Sequence, residues 1–186
     1  MSVKRIAIGA LSLSAAAFGS LVAHEWYTGT AVIPTAGDRP TVGFGSTFRE
    51  DGSPVQLGDT ITPPKAIARS LAHIQRDESG IKECVTAELH QAEYDLMVDF
   101  VYQYGVSTLC ASSIARLANA GDYVGSCEAY ARYKYQAKRD CSLPRNWGPR
   151  GCKGVWTRSL ERREKCLSAA ATATVDKGET GRRGDL

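Results

Sequence analysis

The chain has 186 residues, 43% of them hydrophobic and 23% charged, which is enough apolar material for a buried core in one or two domains. Its formal charge of +3 is spread along the sequence, so it excludes a strongly basic nucleic-acid-binding class and gives only a weak pull towards an anionic envelope surface. Cys84, Cys110, Cys127, Cys141, Cys152 and Cys166 form no CxxC pair and there are only three histidines, so no metal site and no cofactor are expected. An even cysteine set of this kind points to an oxidising compartment, with fifteen pairings open.

Lys4 and Arg5 precede an uncharged run over residues 6–23, IAIGALSLSAAAFGSLVA. Eighteen residues just span a bilayer, and the basic flank keeps the N-terminus in the cytoplasm. Eleven of the eighteen are Ala, Gly or Ser, so the segment reads as a weak, uncleaved membrane anchor. Cleavage after Ala23 would leave Glu25 as the second residue, stripped of the turns that hold it.

Between Glu25 and Thr47 the glycines and prolines forbid a helix, while Ala31-Val32-Ile33 and Thr41-Val42-Gly43-Phe44 predict a small hairpin. Thr62-Pro63-Pro64 opens a helix expected to run to about Gly80, with Ile67, Leu71 and Ile74 as its buried face. A second helix carries Tyr94, Met97, Val98 and Val101 on one stripe and stops at Gly105. Shorter helices follow over residues 112–119, over 122–134 with Asp122 as cap, and over 157–167, the last two separated by a loop that Cys141 and Cys152 bound. His90 is placed at a helix cap. The expected architecture is α+β: a membrane segment over residues 1–23, a small hairpin lobe over 24–83, a larger helical lobe over 84–167 and a disordered tail over 168–186.

Glycoside hydrolysis requires a carboxylic acid to protonate the leaving oxygen and a polar group opposite to place water. Glu25, at the end of an apolar segment that would hold its proton, is the candidate acid; Asp38 and Thr41 lie in the hairpin that folds back towards it. None of His24, His73 and His90 has a Ser or Cys partner arrangement, and GFGST lacks the lysine of a phosphate loop.

The run from Glu25 through PTAGDRPTVGFGST, followed by FVYQYG and by GVWTRSLERREKCL, resembles the phage lysozyme family, glycoside hydrolase family 24, and within it the signal-anchor-release endolysins. The resemblance covers residues 24–167 and implies a lysozyme-like fold in which FVYQYG lies on the interdomain helix. It further implies hydrolysis of the β-1,4 bond between N-acetylmuramic acid and N-acetylglucosamine, with Glu25 as acid and Thr41 holding the attacking water. Nine residues after Glu25, where the family carries an acidic residue, stands Pro34, so Asp38 is assigned that role, with Thr35 or Thr41 alone as the fallback. Tyr102, Gln103 and Tyr104 would line the glycan cleft, and Arg158, Arg162 and Arg163 would reach peptidoglycan carboxylates. The implied disulfides are Cys84–Cys110, Cys127–Cys166 and Cys141–Cys152.

The resulting expectation is a monomeric endolysin, held in the host inner membrane by residues 6–23 and then released into the periplasm, whose partner is peptidoglycan and not nucleic acid. Two rivals stand beside it: a lytic transglycosylase acting on the same bond, and a non-enzymatic, membrane-tethered envelope-binding module.

Overall fold

The computed structural model of the chain describes residues 4–24, 26–34, 39–149 and 151–179. They form two compact units. Leu13–Ser79 is the hairpin unit, and Met1–Ser12 with Gly80–Leu186 is the helical unit. The α+β class is as expected, but the hairpin unit ends at Ser79 instead of residue 83, and residues 1–12, expected in a membrane segment, cluster with the helical unit.

The hairpin unit contains α1 (Ala15–His24), β1 (Thr28–Val32), β2 (Thr41–Gly43) and most of α2 (Pro63–Cys84). β1 and β2 pair antiparallel, with Thr28 opposite Gly43 and Val32 opposite Thr41. Ala31, Val42, Val55, Ile61 and Ala66 make the unit's small core. The buried face of α2 is Ala66, Ser70, Ile74 and Ile81, whereas Ile67 and Leu71 are 40% and 41% exposed. The helix is therefore turned about one residue from the expected face. Small side chains explain the turn, because Ala66 lets β2 approach so closely that a Cβ on Gly43 would sit 3.0 Å from the Ala66 Cβ. Gly43 also has φ +69, so no other residue serves as well there.

α2 continues past the expected stop at Gly80 to Cys84. Gly80 is a packing contact instead of a terminator: a Cβ there would meet Val106 at 2.7 Å.

The helical unit adds α3 (Gln91–Tyr104), α4 (Val106–Cys110), α5 (Ser113–Asn119), α6 (Tyr123–Ala129), a two-stranded turn of β3 (Tyr135–Gln136) and β4 (Arg139–Asp140), and α7 (Lys153–Glu179). Tyr94, Met97, Val98 and Val101 are all 2% exposed or less, as the stripe predicts. The Gly105 N–H closes α3 on Val101 O at 2.7 Å. Ser112 and Asp122 cap α5 and α6 by accepting from Ala115 and Gly125. α3, expected to be the interdomain helix, lies wholly in the helical unit; α2 is the helix whose sequence runs through both. α6 is shorter than expected, ending at Ala129 before a 3-10 turn, Tyr130–Arg132. α7 begins earlier and runs to Glu179, through residues expected to be a disordered tail. Ala170, within that extension, is 3% exposed and so packed.

Cys84–Cys110, Cys127–Cys166 and Cys141–Cys152 are all disulfide-bonded, the three pairs the resemblance implied.

Residues 6–23, expected to form a membrane segment, are divided. Ile6 bridges Leu89 through two backbone hydrogen bonds of 3.0 and 2.9 Å, Ile8–Ala10 is a 3-10 turn, and α1 starts only at Ala15. Among the described residues no helix is long and apolar enough to cross a membrane. The first part is strapped to the helical unit. Arg5 makes a bidentate pair with Glu93 at 3.0 and 2.7 Å and lies 3.5 Å from the Tyr123 ring centre. Lys82 and Gln91 donate to the carbonyls of Leu11 and Ser12, and the Ile8 and Leu11 side chains are buried.

Breaking a buried pair strands a charge, at a cost of about 3–5 kcal/mol. The Glu93 side chain is only 5% exposed, so Arg5→Ala is expected to cost about 3 kcal/mol and to lower Tm by roughly 6–12 °C. Calorimetry of Arg5→Ala beside an Arg5→Ala/Glu93→Leu double variant checks this. The double variant should recover part of the loss. An unchanged Tm in the single variant would mean that the strap carries no stability.

Candidate functional site

Thr41 opens β2 and its hydroxyl donates to Val32 O at 3.5 Å, a long and replaceable contact. The chain then folds back on itself, Val42 and Ser46 exchanging backbone hydrogen bonds of 3.0 and 3.1 Å. The Thr-Val-Gly-Phe-Gly run is thus a strand entering a closed turn, which fixes Thr41 on a short rigid element. On the β1 side, the Tyr27 hydroxyl donates to Ile61 O at 2.6 Å and its ring lies 5.5 Å from that of Phe44. Trp26 is 82% exposed and has φ +42, a conformation uncommon for a bulky residue. Glu25 and Asp38, the expected acid and its partner, lie outside the described residues, as does Thr35.

The expected glycan-lining residues Tyr102, Gln103 and Tyr104 are on the last turn of α3 in the helical unit. Tyr104 belongs to an aromatic group: its ring centre is 4.8 Å from Phe100 and 5.4 Å from Tyr133, and its hydroxyl donates to Tyr133 O at 3.4 Å. Burial raises its pKa above the ordinary tyrosine value, against the pull of Arg162. The Gln103 Oε1 is buried without a hydrogen-bond partner among the described residues, and Tyr102 is half-buried.

The expected role of Arg162 in touching peptidoglycan needs correction. Arg162 is 2% exposed and donates from Nε to Asp99 Oδ2 at 2.5 Å, so its charge is committed inside the unit. Arg163 is likewise engaged, by Glu128 at 2.6 and 2.8 Å. His90 stands at the N-cap of α3, where Glu93 accepts its backbone N–H at 2.9 Å.

Sequence reading missed an ion-pair cluster in the hairpin unit. Arg49 donates from Nε and Nη2 to the two oxygens of Asp59 at 2.7 and 2.8 Å, and the Gln56 N–H adds a third bond at 2.9 Å. The Arg49 hydrogen bond holds the Asp59 carboxyl down at about 2. The turn-rich run EDGSPVQLGD gave no cue that its two flanking charges would meet.

The phage lysozyme family profile matches residues 24–145. The chain belongs to the phage lysozyme family. This phage lysozyme is 32% identical over 107 residues to the endolysin of Salmonella phage P22, which covers 57% of this chain and 73% of the relative. It is 27% identical over 119 residues to a protein of Enterobacteria phage PA-2 named a SAR-endolysin, covering 62% of this chain and 64% of that relative. Among solved structures, the endolysin from Escherichia coli O157:H7 phage FAHEc1 superimposes with TM-score 0.71 at 24% identity, over 86% of this chain and 95% of that one. A mutant P22 lysozyme gives 0.66 at 25% identity, over 84% and 99%.

Proposed function

We propose that this phage lysozyme is a monomeric signal-anchor-release endolysin that hydrolyses the β-1,4 bond between N-acetylmuramic acid and N-acetylglucosamine in host peptidoglycan. Glu25 protonates the leaving oxygen, while Asp38 and Thr41 hold the attacking water; no cofactor enters. The observation that carries this reading is Thr41 at the start of a strand that closes into the Val42–Ser46 turn, sixteen residues after Glu25, within the stretch the family profile matches. Tyr102, Gln103 and Tyr104 line the glycan path from the helical unit.

Residues 6–23 serve first as an anchor in the inner membrane and then leave it for the periplasm. Their small-residue composition supports a weak hold on lipid, and the strap of residues 5–12 supports a protein-bound alternative to it. In the membrane, that strap is absent.

The experiment is digestion of purified Gram-negative peptidoglycan by the oxidised protein, with analysis of the fragment ends. Reducing muramic ends are expected. Ends in 1,6-anhydro form would assign a transglycosylase, and no digestion would leave the envelope-binding module. For the anchor, Gly9→Leu/Gly19→Leu is expected to hold the enzyme in membrane fractions and delay lysis, since neither position has a neighbour within 4 Å that a side chain would disturb. Normal lysis by that variant would overturn release.

A further inference from the structure

The net charge of +3 conceals an uneven distribution. Residues 132–153 carry seven lysines and arginines against one acid, Asp140, a balance of +6, so the other residues together sum to −3. The segment belongs to the helical unit and contains β3, β4 and the Cys141–Cys152 loop. Its one acid is already engaged. The Ser142 hydroxyl donates to Asp140 at 2.6 Å and Lys134 Nζ lies 2.9 Å away, and together they hold its carboxyl down at about 2. Acids on the neighbouring helices do not cancel the excess. Asp99 of α3 is paired with Arg162 and Glu128 of α6 with Arg163, while Glu161 lies about 12 Å beyond Lys153 along α7.

The segment is fixed from beneath. Cys141 and Cys152 are bridged and buried, the Cys141 N–H donates to Lys134 O at 2.7 Å, and the Cys152 N–H donates to Asn146 O at 2.9 Å. Trp147 Nε1 donates to Cys141 O at 2.9 Å, and the Ser159 hydroxyl of α7 donates to Tyr133 O. Above that base every residue from Tyr135 to Arg139 is exposed, as are Arg145, Trp147 and Lys153. Tyr135 is 57% exposed, with Lys134 Nζ 5.5 Å from its ring centre, and Lys153 Nζ stands 4.8 Å from that of Trp147. Cations and aromatic rings are thus interleaved on a rigid, solvent-facing stretch.

This combination suits a lipid surface. Lysines and arginines are drawn to an anionic leaflet, while tyrosine and tryptophan rings settle at headgroup level. Lys138 at the β3–β4 turn and Arg145 in the Pro144–Asn146 turn belong to separate segments, and neither is joined to another side chain among the described residues. Cations spread in this way match many headgroups better than one bound anion, which favours a convergent fork of donors.

We propose that residues 134–153 dock on a bilayer carrying anionic phospholipid, with Lys138, Arg145 and Lys153 against the headgroup phosphates and Tyr135 in the headgroup layer. The docking does not depend on the muramidase reading. It is also separate from any hold of residues 6–23 on lipid, since that run is uncharged and has no preference for an anionic headgroup.

The test is co-sedimentation of the full oxidised chain with vesicles of phosphatidylethanolamine and phosphatidylglycerol, and with vesicles of phosphatidylcholine alone. Wild type is compared with Lys138→Gln/Arg145→Gln, both at exposed positions. Each cation near an anionic leaflet strengthens binding about fivefold, so the double variant is expected to bind the phosphatidylglycerol vesicles about 25-fold less, and the phosphatidylcholine vesicles as wild type does. The preference of wild type for phosphatidylglycerol should vanish at about 1 M salt, where the Debye length falls to about 3 Å. Equal binding of wild type to both vesicles would overturn the proposal, and so would a double variant that keeps the wild-type preference. Digestion of lipid-free peptidoglycan should be unchanged in the double variant. A matching fall there would assign these cations to the glycan and overturn the docking. If wild type digests no peptidoglycan, the muramidase reading fails, while the vesicles still decide this one.

Discussion

Glu25→Gln is expected to lower peptidoglycan hydrolysis by roughly 100- to 10,000-fold, the range that positioned general acids supply. Glutamine keeps the size and the acceptor oxygen of the side chain but has no acidic proton to give the leaving sugar, so the loss falls on turnover. Glu25 stands between the end of α1 at His24 and the start of β1 at Thr28. Glutamine also matches glutamate in shape, so Tm and circular dichroism are expected to match wild type. Thr41→Ala provides the comparison. Its hydroxyl makes one long bond to Val32 O, so its removal should leave the hairpin standing and lower the rate less than Glu25→Gln does. Rates are read from the release of reducing ends. A Glu25→Gln enzyme that keeps more than a tenth of wild-type turnover would remove Glu25 from the acid role and transfer the search to other carboxylates of the hairpin unit.

What could be read from the sequence follows from how locally each feature is encoded. The α3 stripe, its stop at Gly105 and the Asp122 cap are set by neighbours within a turn, and each is found in place. The hairpin of Thr41 is legible for the same reason. The face of α2 was legible only at Ile74, because Ile67 and Leu71 look like core residues and only the approach of Gly43 to Ala66 turns the helix away from them. Gly80 misled in the same way: a glycine inside a helix signals a stop locally, and its partner Val106 is 26 residues distant.

The β3–β4 turn was invisible. Its two central residues, Ala137 and Lys138, have φ of +46 and +64, the geometry that Asn-Gly usually announces, here adopted by residues that announce nothing. The strap illustrates a deeper ambiguity. An uncharged run of small and aliphatic residues suits lipid and protein interior alike, and only the partners of Arg5, Ile6 and Leu11, at positions 93, 89 and 82, tell them apart. The Arg49–Asp59 pair shares that limit, as charges ten residues apart in a turn-rich stretch carry no periodic signal.

Reduction of the disulfides is the second large effect expected. By the loop-entropy relation, closing loops with sequence separations of 39, 26 and 11 is worth about 4, 3.5 and 3 kcal/mol, for Cys127–Cys166, Cys84–Cys110 and Cys141–Cys152 respectively. The total, about 10 kcal/mol, rivals the whole stability of an ordinary domain, about 5–15 kcal/mol. All three bridges lie in the helical unit, so full reduction is expected to unfold it and end activity. Access decides the order. Cys110 is exposed, whereas Cys127, Cys141, Cys152 and Cys166 are each 4% exposed or less, so a mild thiol should open Cys84–Cys110 first and reach the others only as the unit unfolds. Mass spectrometry of alkylated samples, taken along a reductant series with circular dichroism, gives both order and consequence. Paired alanine variants then separate the bridges: Cys127→Ala/Cys166→Ala should lower Tm by roughly 8–16 °C, more than either other pair. A fully reduced protein that keeps its helical signal and its activity would show that the packed helices alone sustain the fold, and that the bridges add little to it.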